Sequence, residues 1–429
     1  MNGRTYDLIL FGATGFTGKL CVEEIAKSLH FFHTDGHTFR WAIAGRSRDR
    51  LKAIIKPLEH AKVVVDVVIA DIEDEESLRR MARSTRIILS AVGPYRSFGE
   101  PLVKACIAER TDYLDLCGEP EFIENMMLKY HDLAVERKVT LVHAAAFDSV
   151  PADLGAIHAV KALRREHNGV LPSSVEMFLR LQPGPSGMGV NYATYECAVE
   201  GFGSVKALKD IRRDLAKKRA VMPHLIGKKP IVTENFKWDG YNRAWRLNHF
   251  FADASVVRTT QILNASKPHP RPPAIHFVAH VLIPSTWALI QMIFFFTIFS
   301  LLAKFSIGRK ILLEFPEVFT RGIVSKRGPS ARQRAETSVV MSFLAAGYSR
   351  ERVHPDQFVR TAWTFPEPGY VATPILFVHS AAALYHSRHV KRDGKVPTGV
   401  NTPGYAFEDS DLEERLLSDS RIQVETRFD

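Results

Sequence analysis

Short apolar segments alternate with amphipathic stretches along the first 150 residues. The apolar segments predict strands at Tyr6–Phe11, Phe39–Ala44, Val63–Ala70, Ile87–Val92, Tyr113–Leu116 and Thr140–Ala145. The stretches between them predict helices at Lys19–Leu29, Arg48–Leu58, Glu75–Arg83, Pro101–Glu109 and Glu121–Arg137. Strands that are apolar almost throughout and alternate with helices are typical of a parallel sheet covered by helices on both faces. We therefore expect residues 1–150 to form one α/β domain with a Rossmann-like sheet.

The second half has a more mixed pattern. Apolar and polar residues alternate in Val175–Leu181, which predicts a half-buried strand. Further predicted elements are the strands Ser338–Phe343 and Phe358–Phe365, the apolar helix Thr373–Ser387, the short helix Leu412–Leu417 and the last strand Ile422–Val424. We expect residues 151–403 to form an α+β domain for substrate binding or dimerisation, and residues 404–429 to form a C-terminal tail.

A glycine-rich loop joins the first strand to the first helix. Its sequence is Gly12-Ala13-Thr14-Gly15-Phe16-Thr17-Gly18, with glycines three residues apart. Small residues at such a turn let the backbone approach a pyrophosphate, and the N-terminus of the following helix offers N–H groups to the anion. The loop therefore predicts a dinucleotide site. The alternative is a tight strand-to-helix turn that binds no ligand.

The end of the second predicted strand selects between the two nicotinamide dinucleotides. A free ribose 2′-hydroxyl is usually bound there by Asp or Glu, but this strand runs into Gly45-Arg46-Ser47. A guanidinium offers paired donors to a 2′-phosphate. We therefore expect Arg46 and Ser47 to favour NADP(H) over NAD(H). The alternative for Arg46 is a solvated loop arginine.

Two further loops lie at the predicted carboxyl edge of the sheet. Asp71 ends the third predicted strand, where it either meets the adenine edge or caps a helix over Glu73–Arg83. Gly93, Pro94 and Tyr95 follow the fourth strand, where the nicotinamide half is expected.

The order of the motifs resembles one family. The motifs are Phe11–Gly18, Ala44–Ser47, Val92–Tyr95, Cys117–Pro120, Phe147–Gly155, Gly201–Gly203, Asp253–Arg258, Gly369–Pro374 and Thr402–Gly404. Together they resemble the saccharopine dehydrogenase family, specifically its animal saccharopine dehydrogenase-like oxidoreductases, over nearly the whole chain. The resemblance implies a Rossmann domain with an α+β substrate domain, NAD(P)(H) binding, and kinship with bacterial enoyl reductases of lipid synthesis. It does not imply that saccharopine is the substrate.

Four side chains on loops at the carboxyl edge are weak catalytic candidates. Tyr95 either donates a proton or packs over the cofactor ring, and Cys117 is more typical of a small buried residue than of a nucleophile. Glu119 precedes a predicted helix, where it would complement the helix dipole. Asp148 would act as a cap and turn before a helix that begins near Ala152. No proton donor stands out among the four.

Composition excludes several other classes of site. The four cysteines have no C-x-x-C spacing, and no G-x-S-x-G, H-E-x-x-H or P-loop sequence occurs. His276 and His280 are four residues apart and would share a helix face, but they lie in an apolar run without an acidic partner. We expect buried or interfacial histidines there, and no metal site.

Most of the formal net charge of +10 lies in one window. Residues Lys206–Lys229 contain nine Lys or Arg against Asp210 and Asp214. Val205, Leu208, Ile211 and Leu215 would form a narrow apolar stripe with cationic flanks, a pattern that suits an anionic lipid surface. The alternative is an ordinary solvated helix. We expect no nucleic-acid binding, because no aromatic-studded basic motif is present.

The longest apolar run is expected to attach the chain to a membrane or lipid droplet through residues 274–303. Pro272–Ala303 contains no Asp, Glu, Lys or Arg, and Ser285–Ala303 as a helix would be about 28 Å long. The family resemblance implies that both flanks belong to one domain, and both are basic, so a simple span is disfavoured. The alternatives are a hairpin bent near Pro284, a monotopic helix in one leaflet, a helix buried in a core or dimer interface, or a true span.

The sequence thus predicts an NADP(H)-dependent oxidoreductase that transfers hydride to or from an unknown, lipid-related substrate. We expect it inside the cell, on a lipid droplet or on the cytosolic side of a membrane, with a mitochondrial location and a homodimer left open. The rival hypothesis is a non-enzymatic NADP(H)-binding scaffold or redox sensor at the droplet surface.

Overall fold

The chain divides into two compact units in the computed structural model, which describes residues 3–203, 205–218, 223–230, 236–249, 251–267, 273–349 and 354–428. The first unit comprises Met1–Asp148 and Gly369–Leu416, and the second comprises Ser149–Pro368 and Leu417–Asp429.

The first unit is built on a parallel sheet of seven strands. Its elements are β1 (Tyr6–Phe11), α1 (Phe16–Lys27), β2 (Trp41–Gly45), α2 (Arg48–His60), β3 (Asp66–Ile69), α3 (Glu75–Ser84), β4 (Thr85–Ser90), α4 (Tyr95–Glu109), β5 (Asp112–Asp115), α5 (Pro120–Arg137) and β6 (Thr140–Val142), to which later segments are added. The predicted α/β fold with a Rossmann-like sheet is confirmed. The sheet forms because β1 and its neighbours are almost fully buried, as expected for a sheet with covered faces.

The second unit contains a mixed sheet of seven strands. Its elements are α6 (Val150–Glu166), β7 (Leu171–Gln182), β8 (Val190–Asn191), α7 (Tyr192–Gly203), α8 (Val205–Lys218), β9 (Lys237–Asp239), β10 (Ala244–Asn248), α9 (Asp253–Ala265), β11 (His276–Ile283), α10 (Thr286–Ala303), α11 (Ser306–Glu314), α12 (Pro316–Thr320), β12 (Val324–Ser325), α13 (Ala331–Glu336), β13 (Ser338–Tyr348) and β14 (Gln357–Pro366). The remaining helices and strands are α14 (Thr373–Tyr385), β15 (Gly399–Asn401), α15 (Pro403–Phe407) and α16 (Leu412–Ser418) in the first unit, and β16 (Gln423–Phe428) in the second.

The strand order shows which strands are neighbours in each sheet. In the first sheet the order is β15-β6-β5-β4-β1-β2-β3, and in the second it is β16-β14-β13-β7-β11-β10-β9. Within the second sheet β7 and β11 are parallel, whereas the other neighbouring pairs are antiparallel. β8 and β12 form a separate parallel pair.

After Pro368 the chain returns to the first unit. From the sequence we expect one continuous domain over 151–403 and a tail over 404–429. Strand β15 pairs in parallel with β6 at the edge of the first sheet, and the fully buried helix α14 packs against α1. Within the former tail, α16 lies in the first unit and β16 pairs with β14 in the second. Local hydrophobic pattern could not show this, because it does not record which sheet a distant strand joins.

The long apolar run is divided between two different elements. Residues His276–Ile283 form strand β11 within the second sheet, and only Thr286–Ala303 forms a helix. That helix, α10, is long and apolar enough to cross a membrane, with a mean hydropathy of 1.9, yet only 11% of it is buried. The alternative of a helix buried in the core of this chain is therefore wrong. A hairpin bent near Pro284 is also wrong, because the residues before Pro284 are paired in the sheet.

Candidate functional site

The glycine-rich loop closes tightly at the carboxyl end of β1. Gly12 has a φ of 91°, and a Cβ there would lie 2.7 Å from Val92 Cγ2 and 2.9 Å from the Ala91 carbonyl oxygen. A Cβ on Gly18 would clash with the Gly12 carbonyl oxygen. Glycine is therefore required at both positions, since a side chain would force the loop open.

Helix α1 begins directly after this loop, with Gly15 at its N-cap position and no acidic residue in its first turn. Gly15 is exposed, whereas Ala13 is fully buried and Thr14 and Thr17 are half-buried. The Phe16 ring packs edge-on against Tyr370, with ring centroids 5.0 Å apart. The first-turn N–H groups of α1 thus lie beside small residues, and this arrangement fits a pyrophosphate.

Arg46 is exposed at the end of β2, where the sequence predicted a 2′-phosphate contact. Within the described part of the chain, no carboxylate forms an ion pair with its guanidinium. Ser47 is the N-cap of α2, and its hydroxyl accepts the Arg50 main-chain N–H at 3.4 Å. The guanidinium is therefore available to an anion, while Ser47 also starts the helix.

Asp71 is not a helix cap, which corrects one of its two predicted roles. Helix α3 begins at Glu75, and its cap is Asp74, whose carboxylate accepts the Ser77 main-chain N–H at 3.1 Å. Asp71 is half-buried and accepts the Glu73 N–H at 3.2 Å in a short turn. The predicted contact with the adenine edge stays a prediction.

The loop Gly93-Pro94 leads into α4, which begins at Tyr95 and not at the predicted Pro101. The Tyr95 side chain is buried. Its hydroxyl donates to the Ser90 carbonyl oxygen at 2.8 Å and accepts the Leu116 N–H at 3.4 Å. These contacts join the ends of β4 and β5, and they argue against proton donation by Tyr95.

Glu119 lies at the start of α5, as predicted, but its carboxylate bonds to another helix. Its carbonyl oxygen accepts the Ile123 N–H of α5 at 3.1 Å, whereas its carboxylate accepts the main-chain N–H of Tyr95 at 2.8 Å, in the first turn of α4. The same carboxylate lies 2.8 Å from Arg96 Nε, and only 4% of the residue is exposed. Glu119 therefore stabilises the start of α4.

Cys117 is fully buried in the same loop. Its main-chain N–H donates to Asp115 Oδ1 at 3.1 Å, and its sulfur accepts the Glu119 N–H at 3.3 Å. This environment agrees with the expected small buried residue.

Asp148 is half-buried, whereas Tyr95, Cys117 and Glu119 are buried. A Cβ on Gly118 would lie 2.8 Å from Asp148 Oδ2, so the carboxylate lies against the loop that follows β5. Helix α6 begins at Val150 with Ser149 at its N-cap position, and Asp148 is therefore not its cap. Among the four predicted candidates, Asp148 is therefore the least buried.

A buried pair that the sequence did not predict supports this loop. Asp115 Oδ2 lies 2.6 Å from His143 Nδ1 and accepts the Tyr113 hydroxyl at 2.9 Å, and the side chains of Asp115 and His143 are fully buried. Burial and the neighbouring Asp115 raise the pKa of Tyr113 well above its ordinary value, so Tyr113 remains a donor. Charged residues directly at the ends of two apolar strands were the signal that could have revealed the pair.

A second candidate site is the exposed face of α10, α11 and α12, which we call the apolar surface. Its large exposed side chains are Trp287, Ile290, Ile293, Phe294, Phe296, Leu301, Phe305, Ile307, Ile311, Phe315, Val318 and Ile323. The three helices contact one another, and Arg321 lies over the Phe295 ring at 6.0 Å. A large contiguous apolar face of this kind is typical of a protein or membrane contact.

Both ends of α10 are held on the second unit. At its C-terminal end Ala303 is fully buried in a cluster with Tyr195, Val199 and Leu312. At its N-terminal end Thr286 accepts the indole N–H of Trp245 at 3.2 Å. A helix fixed at both ends lies along the surface of its unit.

The basic helix α8 turns its apolar stripe inward. Leu215 is buried, and Leu208 and Ile211 are half-buried, whereas Val205 is 53% exposed. Most of the cationic side chains are exposed, and Arg212 donates to the Ser255 hydroxyl at 3.0 Å. The stripe therefore packs mainly on the protein, so α8 can offer charge to a lipid surface but not an apolar face. Residues 219–222 of the basic window lie outside the described residues.

His276 and His280 lie on a strand, not on a helix as expected. His276 Nε2 lies 3.0 Å from the Gly227 carbonyl oxygen, while His280 is buried and stacks on Phe178. Contrary to the expectation from sequence, His280 has an acidic neighbour, since its Nε2 lies 3.7 Å from Glu176. In the described ranges no cluster of three or more metal-ligating side chains occurs.

Comparison with known proteins gives consistent matches. Residues 8–142 match the family model of the saccharopine dehydrogenase NADP binding domain. The chain is 36% identical over 430 residues to a Mus musculus protein named saccharopine dehydrogenase-like oxidoreductase, with 96% of this chain and 95% of that protein covered. It is 32% identical over 440 residues to a Caenorhabditis elegans protein named lipid droplet localized protein, with 99% of each covered. The solved structure of apo saccharopine dehydrogenase (L-Glu forming) from Saccharomyces cerevisiae shares the fold, at 13% identity and a TM-score of 0.56 over 98% of this chain and 100% of that chain.

Proposed function

Because the chain belongs to the saccharopine dehydrogenase-like oxidoreductases, we propose that it transfers hydride between NADP(H) and a lipid-related substrate while attached to a lipid surface. The family assignment confirms two predictions from the sequence, an oxidoreductase and an NADP-binding domain. The substrate, the site residues and the attachment are the parts that we propose.

The cofactor site of this proposal rests on the loop after β1 and on Arg46. Gly12 and Gly18 allow the close backbone approach that a pyrophosphate needs, and the first turn of α1 supplies N–H donors. Arg46 would bind the 2′-phosphate, because its guanidinium is exposed at the end of β2. The exposed guanidinium at this strand end is the single observation that carries the preference for NADP(H).

For the reaction, bound NADP(H) supplies or accepts a hydride at a substrate carbon. Reduction also requires a proton, which goes to the substrate oxygen, nitrogen or neighbouring carbon as the hydride adds. We assign this proton to Asp148, because this half-buried residue lies next to Gly118 in the loop that follows β5, at the carboxyl edge of the sheet.

Attachment is assigned to the apolar surface. A relative over the full length carries the name lipid droplet localized protein, and α10 exposes large apolar side chains while both its ends rest on the second unit. A helix that lies in the plane of one leaflet needs no aqueous compartment on the far side, so it suits the monolayer of a droplet as well as a membrane.

A substrate screen tests the catalytic part. Purified full-length protein with NADPH is offered acyl, enoyl and imino compounds in detergent micelles, and the nicotinamide absorbance is followed. We expect oxidation of NADPH with one class, and a loss of kcat of a hundredfold or more in Asp148→Asn with unchanged NADPH affinity. Tight NADPH binding without turnover on any class would favour the non-enzymatic scaffold.

A flotation assay tests the attachment. The double variant Ile290→Asp/Phe294→Asp places two charges on the apolar surface, and Leu133→Asp/Val135→Asp places them on exposed apolar positions of α5. We expect the first variant to leave isolated droplets or membranes and the second to stay bound. Equal flotation of the two variants would contradict the proposal. If the wild type floats, fractionation of the cell distinguishes droplets from mitochondria. A wild type that forms a dimer and does not float would assign the apolar surface to a homodimer instead.

A further inference from the structure

Three of the five tryptophans lie at one end of α10. Trp238 of β9 and Trp245 of β10 are paired across the strands, with ring centroids 5.6 Å apart at 73°. Trp245 donates its indole N–H to Thr286 at the start of α10, and Trp287 follows directly. The β9–β10 hairpin and the N-terminal end of α10 thus form one aromatic group.

The three tryptophans of this aromatic group are more exposed than the other two tryptophans of the chain. Trp287 is 66% exposed and Trp238 is 46% exposed, whereas Trp41 and Trp363 are buried. Folding normally covers much of so large a side chain, and a protein rarely leaves two of them open without a partner. Tyr241, in the turn between β9 and β10, is also exposed, and Arg360 stacks on its ring at 3.8 Å.

Tryptophan and tyrosine are characteristic of the boundary between lipid headgroups and acyl chains, because their rings are apolar and carry one polar atom. Here the aromatic group adjoins the apolar surface, whose helix α10 contains no charged residue. In a leaflet the aromatic group would lie among the headgroups, and the apolar surface would contact the acyl chains.

Exposed positive charges slightly outnumber negative ones on and beside α11 and α12. Lys304, Lys310 and Arg321 are exposed on or beside α11 and α12, against Glu314 and Glu317. The basic helix α8 follows α7 along the chain, and Phe202 of α7 contacts Phe296 of α10. Phosphate groups of a phospholipid leaflet would complement this charge, whereas an oil phase without headgroups would not.

We propose that Trp238, Trp245 and Trp287 form an interfacial belt that holds α10 in the plane of a phospholipid leaflet, with the β9–β10 hairpin as a second point of contact. This inference rests on the proposed attachment through the apolar surface and adds the depth and orientation of the bound protein. The belt fixes the N-terminal end of α10 at the headgroups, while Phe294 and Leu301 face the acyl chains.

The test uses the full-length protein and phosphatidylcholine vesicles with 20 mol% (about one in five) phosphatidylserine. Tryptophan emission should shift to shorter wavelength on binding, and bromines placed near the headgroup should quench it more than bromines near the acyl end. The variants Trp238→Ala and Trp287→Ala should each weaken partitioning about fivefold to tenfold, since each removes a large apolar contact. Phe98→Ala, which truncates an exposed aromatic residue of the first unit, should bind as the wild type does.

Each outcome bears on one of the two proposals. If the wild type binds vesicles but Trp238→Ala and Trp287→Ala bind equally well, or quenching is strongest at the acyl ends, the belt is refuted while the attachment stands. If the wild type does not bind vesicles, the attachment itself fails. Trp238→Phe and Trp287→Phe, which keep an aromatic ring at each position, verify that weaker binding by the alanine variants does not come from unfolding, because they should retain most of the affinity.

Discussion

The carboxylate of Glu119 lies 2.8 Å from the Nε atom of Arg96, and the two residues belong to different loops at the carboxyl edge of the parallel sheet. Since only 4% of Glu119 is exposed, this pair is screened little by water. It ties the loop after β5 to the first turn of α4, on which the predicted nicotinamide side of the site depends.

Replacement of Glu119 should therefore lower the stability of the fold, and not only the rate of catalysis. In Glu119→Ala the Arg96 guanidinium loses a largely buried partner and the Tyr95 N–H loses its acceptor, so we expect a loss of about 3 kcal/mol in the free energy of unfolding. Urea unfolding checks this. Glu136→Ala, at an exposed position of α5, is the matched control, and we expect it to unfold within about 0.5 kcal/mol of the wild type. A stable Glu119→Ala protein that has lost turnover would instead identify Glu119 as catalytic.

The coenzyme preference should depend on Arg46. We expect the wild type to bind NADPH at least tenfold more tightly than NADH, and Arg46→Ala to remove most of that difference by weakening NADPH alone. Titration by cofactor fluorescence measures both affinities. Arg48→Ala removes an equally exposed arginine in the first turn of α2 and should keep the preference. Equal affinities for the two coenzymes in the wild type would refute the 2′-phosphate contact.

The closed glycine-rich loop should not accommodate one added methyl group. In Gly18→Ala the new Cβ clashes with the Gly12 carbonyl oxygen, so the loop must open and the pyrophosphate loses its N–H donors. We expect no thermal stabilisation by NADPH in this variant. Gly3→Ala, where a Cβ meets no atom within 4 Å, should be stabilised by NADPH as the wild type is. Normal stabilisation of Gly18→Ala would remove this loop from the cofactor site.

The ion pair that holds the returning segment should make stability depend on pH. Asp112 is buried, which by itself raises its pKa, but the hydrogen bond from His389 and the charge of Arg388 hold the pKa below its ordinary value. A carboxyl group with a lowered pKa stabilises the fold above about pH 4, and this contribution is lost as the pH falls through the folded-state pKa.

Arg388→Met tests this dependence. We expect the variant to lose about 2–3 kcal/mol in the free energy of unfolding at pH 7, and the difference from wild type to shrink as the pH falls below about 4 towards the lowered folded-state pKa of Asp112. Arg392→Met, at an exposed position four residues later, should change stability little at either pH. A difference that stays constant from pH 7 to pH 3 would mean that Arg388 contributes by packing and not by charge.

Local pattern was sufficient for the first six strands of the first sheet and for locating the glycine-rich loop. The apolar strands from Tyr6 to Val142 and the glycines at 12, 15 and 18 are consecutive along the chain, so periodicity and spacing record them directly. Arg46 could be predicted to lie beside this loop, because it directly follows the end of β2. The start of α4 could not, since the acceptor for its first N–H group is Glu119, 24 residues away.

The sequence by itself determined the α/β class, the NADP(H)-binding motif and the presence of one long apolar helix, because each depends on residues that are neighbours along the chain. Only the tertiary structure decided that Gly369–Leu416 returns to the first unit, that His276–Ile283 is a strand, and that α10 is exposed and held at both ends. It also decided which carboxylates are available, since the partners of Glu119 and Asp115 come from other strands and helices. The physical reason is that burial and hydrogen bonding are set by contacts between distant segments, and hydrophobic periodicity does not contain that information.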